Sequence, residues 1–254
     1  MDKLITPGRI MFTTGILALS VLCIIYKDFI IGRPPGGPAK FTINPALAYT
    51  SSAALIIACL AIFFQKKVKP AALLIAILIF LFSVLRHLPH FMNDWVNGFK
   101  AIALVGGAFI IAASFFKEDH FTSSQTSINE SRRKNLVIAG SVLIAAFFIA
   151  CGYSHFKWAN GVQYLIPAYI PFRLFWVYFC GLCLFAGGAG ILIPQTKKWA
   201  AMLSGIMILG WFILLHIPRF AANPGDPSDR MGLCESFAFS GICFVLTGMF
   251  WKKE

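Results

Sequence analysis

The chain of 254 residues contains eight apolar runs, each about long enough to cross the hydrocarbon layer of a bilayer as one helix, which takes roughly 20 residues. The runs cover about residues 10–30, 46–64, 70–88, 98–116, 135–154, 174–193, 199–217 and 232–251. Only 13% of the residues are charged, about half the fraction in an ordinary soluble domain. The sequence therefore predicts an all-α integral membrane protein with eight transmembrane helices.

The positive charges favour a topology rather than a nucleic-acid surface. The net charge is +12, but the 22 Lys and Arg stand singly or in short clusters between apolar runs, with no basic stripe, so we expect no nucleic acid and take the lipid bilayer as the first partner. Thirteen of the 22 fall on the side of the termini, most densely in short connections such as 65–69 and 194–198. By the positive-inside rule, both termini are predicted to be cytoplasmic.

The two halves of the chain resemble each other. With a constant offset of 129, residues 49–91 match residues 178–220 at 13 of 43 positions without a gap. The alignment predicts a repeat over 1–116, a cytoplasmic linker over 117–134 and a second repeat over 135–254. Each repeat has an even number of spans, so the two four-helix bundles are predicted to be parallel repeats.

The most specific matches are His87-x-Pro-x-Phe and His216-x-Pro-x-Phe. Each Pro is predicted to end its helix two residues after the His, at the outer membrane face. One interpretation is a pair of catalytic imidazoles that bind a quinone carbonyl, shuttle protons or ligate a haem. The other is that each His caps the last carbonyl groups of its own helix.

Further polar residues surround the two His in the sequence and are candidate ligand-binding residues. They are Arg86, His90, Asp94, Lys100, Arg219 and Glu235. Lys100 and Glu235 occupy equivalent positions at the predicted starts of the fourth and eighth helices, so they either form an ion pair between the repeats or each point to water.

His155 ends the predicted fifth helix on the same outer face and corresponds to Asp28 in the first half. The loop that follows His155 contains Trp158 and Arg173, and a long ordered loop is a common place for function. We treat His155 as a third catalytic candidate and the two loop residues as ligand-binding candidates. The alternative is a loop that only covers the end of the bundle.

Two cysteines are spaced for redox chemistry. Cys180 and Cys183 form a Cys-x-x-Cys near the outer end of the sixth predicted helix and could exchange electrons with a quinone and a dithiol partner. The spacing also arises by chance in apolar helices, where a thiol is usually a small hydrophobic residue. No cluster of Cys, His and carboxylates has metal-ligand spacing, so no metal site is predicted.

Five segments of the chain form distinctive motifs: Gly152-Tyr-Ser-His-Phe156, Ile166-Pro-Ala-Tyr-Ile-Pro-Phe172, Tyr178-Phe-Cys-Gly181, Gly187-Gly188-Ala-Gly190 and Gly98-Phe-Lys-Ala-Ile-Ala-Leu-Val-Gly-Gly107. Together they resemble the DoxX and DoxX-like family of small four-helix membrane proteins of bacteria. The resemblance implies a tandem fusion of two such units in the bacterial inner membrane. It also implies a link to quinone-dependent redox complexes. Where that family often has a Glu in its second helix, this chain has Leu55 and Leu184.

The resemblance leads to the expected function, a quinone-linked redox component at the extracytoplasmic face, with quinone rather than haem as cofactor and a membrane or extracytoplasmic redox protein as partner. It leaves open whether the chain is itself catalytic or a subunit of a membrane quinone oxidoreductase. The missing Glu favours the alternative of a non-enzymatic accessory or assembly factor that docks a partner through its outer loops. A small-solute transporter ranks third, because no span shows a charge-lined interior.

Overall fold

The computed structural model describes residues 2–33, 44–116 and 123–251, and this part of the chain is all-helical. The long helices are α1 (Ile5–Tyr26), α2 (Pro45–Phe63), α3 (Val68–His87), α4 (Phe91–Ser114), α5 (Ser123–Lys157), α7 (Arg173–Leu192), α8 (Lys197–Trp211) and α10 (Pro227–Phe250), with short helices α6 (Ala159–Val162) and α9 (Ile217–Ala222). Counting α8 and α9 as one rod, eight helices in this described part of the chain are long and apolar enough to cross a membrane. The predicted number of spans is confirmed.

The long helices form a ring in chain order, closed by contact of α1 with α10. Two of them, α4 and α10, also meet across the middle. Their apolar windows are 67% and 72% buried, whereas the other six windows are 17% to 44% buried. The core of the protein therefore lies around α4 and α10, and the outer helices turn much of their apolar surface to the lipid.

Small residues allow the closest helix contacts. A Cβ atom added to Gly8 of α1 would lie 2.6 Å from the carbonyl oxygen of Gly241 on α10, and one added to Gly106 of α4 would lie 2.8 Å from that of Gly140 on α5. In lipid, where no hydrophobic effect drives helices together, such close packing is a main source of association. Gly106, the first residue of a Gly-Gly pair, thus serves close helix packing.

The first helix ends earlier than the apolar run predicts. α1 ends at Tyr26, and Lys27 takes a left-handed conformation with φ 54°. The chain then turns back into the bundle, where Phe29, Ile30 and Ile31 are fully buried. The predicted span 10–30 is wrong at its end because these apolar residues fill the protein interior rather than extend the helix.

The predicted linker is partly helical. Residues 117–122 lie outside the described residues, but α5 begins at Ser123 and continues without a break through residue 134 into the fifth span. Residues 123–134 lack apolar periodicity because this part of α5 precedes the apolar span 135–154, and the segment is nevertheless helical.

Successive spans alternate in direction, so the connections after α1, α3, α5 and α9 lie at one end of the bundle. We call this end the distal face. The beginning of α1 and the end of α10 lie at the opposite end.

Candidate functional site

A cavity of about 460 Å³ lies among α5, α7, α8 and α10 in the distal half of the bundle. Most of its wall is apolar or aromatic, including Phe148, Leu184, Met207, Trp211 and Phe239. Its polar wall residues include Lys100, Ser154, His155, His216, Arg219, Asp229 and Glu235. Such a combination of a large apolar wall with a few polar groups is typical of sites for small organic ligands.

His155 enters the cavity from the last turns of α5. Its Nδ1 lies 2.8 Å from the carbonyl oxygen of Cys151, which can only accept, so the Nδ1–H donates this bond. In the neutral ring, Nε2 is then left with a lone pair. His155 can therefore accept a proton, or pass one on, at Nε2.

His216 reaches the cavity from a π-helical turn, Phe212–His216, that follows α8. The N–H of Ile217 donates to the carbonyl of Phe212, which widens the helix by one residue. Gly232 of α10 packs against the ring, since an added Cβ would come 2.8 Å from Nδ1 of His216. The π turn and the glycine together set the direction of this imidazole, and single π turns occur often at functional sites.

The predicted helix end at Pro218 is wrong, because the rod continues through α9 to Ala222. Pro218 lies at the first turn of α9, where a missing N–H is tolerated. A Pro cannot donate to the carbonyl four residues earlier, that of Leu214, and the Tyr169 hydroxyl from the loop before α7 donates to this oxygen instead. Tyr169 thus takes over the role of the missing backbone donor.

Two ion pairs lie beside the imidazoles. Arg219 contacts Asp229 at 2.6 Å and donates to the carbonyl oxygen of Leu165 at 3.0 Å. Lys100 of α4 and Glu235 of α10 are 2.7 Å apart, so the ion-pair alternative for these two residues is confirmed. Their helices begin at 91 and 227, well before the predicted spans, so the pair lies about two turns inside the bundle rather than at a helix start.

Only one member of the predicted redox pair is part of the cavity wall. Cys180 lines the cavity and accepts a hydrogen bond of 2.9 Å from Nε1–H of Trp211, whereas Cys183 is not among the lining residues. The other lining thiol is Cys151. The structure therefore does not bring Cys180 and Cys183 together at the site, because residues three apart on a helix differ in direction by about 60° and here Cys183 falls outside the wall.

Apart from Lys100, the candidate residues of the first half lie outside this cavity. His87 is 3% exposed, and neither ring nitrogen has a hydrogen-bond partner among the described residues, so the helix-cap interpretation is not supported there. Arg86 pairs with Asp28 at 2.6 Å and also donates to the carbonyl oxygen of Phe29. Asp94 pairs with Arg33 at 3.0 Å.

The segment 28–33 occupies the interior beside these groups. Phe29 stacks on Phe82 of α3 with a centroid distance of 4.6 Å. Gly32 lies against His87, and its N–H donates to Glu235 at 3.2 Å. The first half is therefore filled by its own chain at the level where the second half has a cavity.

The remaining candidates lie in the distal connections. Trp158 is exposed and packs on Trp95 with a centroid distance of 5.7 Å, and Arg173 is a partly exposed residue at the start of α7. Neither lines the cavity. His90 ends a 3₁₀ turn after α3, and its side chain lies outside the described part of the structure.

Sequence reasoning missed Trp176 and Trp211, which meet edge to face at 5.9 Å in the cavity wall. A tryptophan near the end of an apolar helix is ordinarily a membrane-interface anchor, so the residue type alone does not indicate a site. The alignment of the two halves sets Trp211 against Phe82. This match points to Trp211 only if one also knows that Phe29 is buried against Phe82. Nothing in the local sequence indicates that burial.

A family model described as Domain of unknown function (DUF8561) matches residues 144–218. This interval includes His155, Cys180, Trp211 and His216. No curated protein and no solved structure matches the chain. Within the described residues, no group of three or more His, Cys, Asp or Glu is arranged to hold a metal ion.

Proposed function

We propose that the chain is a DoxX-like protein of the bacterial inner membrane that acts as a quinone-linked redox component at its extracytoplasmic, distal face. The observation that carries this proposal is the cavity, in which apolar walls at membrane depth meet the imidazoles of His155 and His216. A lipid-soluble quinone needs this combination, because its ring and tail are apolar while its carbonyl groups accept hydrogen bonds. The resemblance of the sequence to DoxX proteins points the same way.

The proposal includes a tandem duplication with parallel repeats. If the two halves are exchanged, the α1–α10 contact corresponds to the α5–α4 contact. Both contacts are extensive, and in each a glycine of one helix packs against a glycine of the other. The same exchange relates α3–α4 to α8–α10, and α2–α3 to α7–α8. In this arrangement the central α4–α10 contact lies on the axis of the repeat, and the Lys100–Glu235 pair takes the place of two identical residues in a homodimer.

The proposed reaction is the reduction of quinone to quinol. An extracytoplasmic partner protein with a reduced dithiol supplies two electrons and becomes a disulfide, and the quinone takes up these electrons with two protons. The protein's own contribution is to hold the ring and to deliver protons. His155 is suited to this because its Nδ1 is held by a backbone carbonyl while Nε2 is left for exchange.

The test is quinone binding by the purified protein. Protein in detergent is extracted for lipid quinone and titrated with decylubiquinone and a short-chain menaquinone. We expect about one quinone per chain and a dissociation constant raised at least tenfold by His216→Ala. The matched control is His87→Ala, which changes the equivalent imidazole outside the cavity and should leave affinity unchanged. A protein that neither co-purifies with quinone nor binds it overturns the proposal.

The proposed orientation has its own test. Alkaline phosphatase is active only outside the cytoplasm, so fusions report the side of a loop. We expect a fusion after Phe64 to be inactive and one after Ile170 to be active, because the connection at 64–67 belongs to the densely basic side. The reverse pattern contradicts the orientation.

A second candidate function is a non-enzymatic accessory that docks a partner protein. It is favoured by the distal loop before α7, where Tyr164 is 74% exposed and Phe172 is 81% exposed with φ 54°. Co-purification of a stoichiometric partner that is lost in Phe172→Asp, without bound quinone, would establish this function in place of the first.

A further inference from the structure

We infer that the indole of Trp211 is the platform on which the ring of the bound ligand lies, and that the first half of the protein holds its own imitation of that ligand, so that each chain binds one. This inference rests on the proposed function and names the residue that selects a ring-bearing lipid.

Several residues of the cavity wall have counterparts in the first half of the chain. With the offset of 129, the cavity residues Val177, Cys180, Leu184, Ile208, Trp211 and His216 correspond to Ala48, Ser51, Leu55, Ile79, Phe82 and His87. The first set faces a cavity. In the second set, the four small or aliphatic residues and His87 are buried, each less than 5% exposed.

In the first half, the interior space is filled by a segment of the chain itself. The segment from Phe29 to Ile31 lies there, with all three side chains fully buried. The ring of Phe29 stacks on Phe82 at 4.6 Å and 19°, nearly parallel. Gly32 then passes against His87. The occupant is thus a flat ring on an aromatic platform, followed by branched aliphatic groups, close to the imidazole of His87.

In the described part of the second half, no segment equivalent to residues 29–31 covers the indole of Trp211. Trp211 corresponds to Phe82, lines the cavity and is only half-buried. Its orientation is fixed by the hydrogen bond from Nε1–H to Cys180 and by the edge-to-face contact with Trp176. The loop of the second half does not enter as segment 29–31 does, since it forms α6 and a 3₁₀ turn, and Val162, Leu165 and Ile166 only border the space.

The aromatic platform and the polar groups near it indicate the chemistry of the ligand. Offset stacking on an aromatic face favours a planar ring, and an indole gives a larger face than a phenyl group. The Phe29 carbonyl accepts a hydrogen bond from Arg86, so the occupant of the first half presents an acceptor near its ring. In the second half, His216 borders the cavity and can donate a ring N–H to such an acceptor, and His155 can do so once its Nε2 is protonated. An isoprenoid quinone has a planar ring, carbonyl acceptors and a branched aliphatic chain, and it fits each of these features.

The experiment measures decylubiquinone binding to the detergent-purified chain and four variants. We expect Trp211→Leu to weaken binding about tenfold and Trp211→Phe to remain within about threefold of the natural protein, because stacking is retained. Two controls carry the Leu substitution elsewhere: Phe82→Leu, at the filled equivalent position, and Trp199→Leu, which contacts Trp251. Both should bind as the natural protein does. Farnesol, an isoprenoid without a ring, should not compete.

A second readout does not depend on the stability of the Leu variant. A quinone stacked on an indole quenches its fluorescence, so the bound quinone should quench a smaller share of the emission in Trp211→Phe than in the natural protein, at similar affinity. Equal affinity of Trp211→Leu and Trp199→Leu, unchanged quenching in Trp211→Phe, or two quinones per chain overturns the inference while leaving quinone binding intact. Failure of the natural protein to bind any quinone overturns the proposed function and the inference with it.

Discussion

Breaking the ion pair between Lys100 and Glu235 is expected to cost about 3 kcal/mol of the free energy of unfolding. The two charged atoms are 2.7 Å apart, and their side chains are 20% and 5% exposed. Removing one partner of a buried pair costs roughly 3–5 kcal/mol, because the other charge stays buried without compensation. We take the lower value for Lys100→Met because the pair retains some access to the cavity.

A double-mutant cycle separates the pair from its surroundings. Glu235→Gln keeps an oxygen for the N–H of Gly32 and should cost about 2 kcal/mol, since the Lys100 ammonium can bend towards water in the cavity. The double variant should cost about 3 kcal/mol, which leaves a coupling energy of about 2 kcal/mol.

The assay is reversible unfolding in mixed micelles with increasing dodecyl sulfate, followed by circular dichroism. The control is Lys66→Met, which removes an exposed Lys from the connection between α2 and α3 and should change stability by less than about 0.5 kcal/mol. If Lys100→Met costs less than about 1 kcal/mol, or if the two single effects are additive, the pair is solvated and our reasoning from burial is wrong.

Three further substitutions test how the site is built, two by the same unfolding assay and one by decylubiquinone binding. Tyr169→Phe should cost about 1 kcal/mol, and close to nothing in a Pro218→Ala background, where the restored backbone N–H replaces the hydroxyl as donor. Gly181→Val should cost about 2 kcal/mol, because its Cβ meets backbone and side-chain atoms of α5 at 2.9 to 3.2 Å. Gly232→Ala should displace the His216 ring and weaken decylubiquinone binding about fivefold, with a small loss of stability.

Each of these has a matched control in the chain. Tyr164→Phe removes the hydroxyl of a largely exposed tyrosine, and Gly161→Val and Gly210→Ala add side chains where an added Cβ meets no atom within 4 Å. Controls that lose as much stability or affinity as the test variants would contradict the assigned contacts. A Tyr169→Phe effect that is the same with and without Pro218 would show that the hydroxyl does not replace the backbone donor.

The sequence predicted many residues of the site but not how they are arranged in space. His155, His216, Lys100, Arg219, Glu235 and Cys180 all came from the sequence, and all six line the cavity. His87 came from the same motif as His216 and lies outside it. The motif is the same in the two halves of the chain, and the difference arises from a segment more than 50 residues away, which no local pattern reports.

The helix ends show a similar limit. The rule that Pro ends a helix holds at Pro89, since α3 ends at His87, and fails at Pro218, where the π turn and Tyr169 supply the missing bonds. The two prolines have the same local context, so only contacts with other parts of the chain distinguish them.

The sequence by itself determined that this chain is a multi-pass helical membrane protein, because apolar runs of this length have no other way to satisfy their backbone groups in a bilayer. It also determined which polar residues stand near the distal face. Tertiary structure alone decided which of them share a cavity. That depends on whether interior space is filled, and in the first half the chain fills it with Phe29 and the two isoleucines that follow, whereas in the second half the space beside Trp211 stays open.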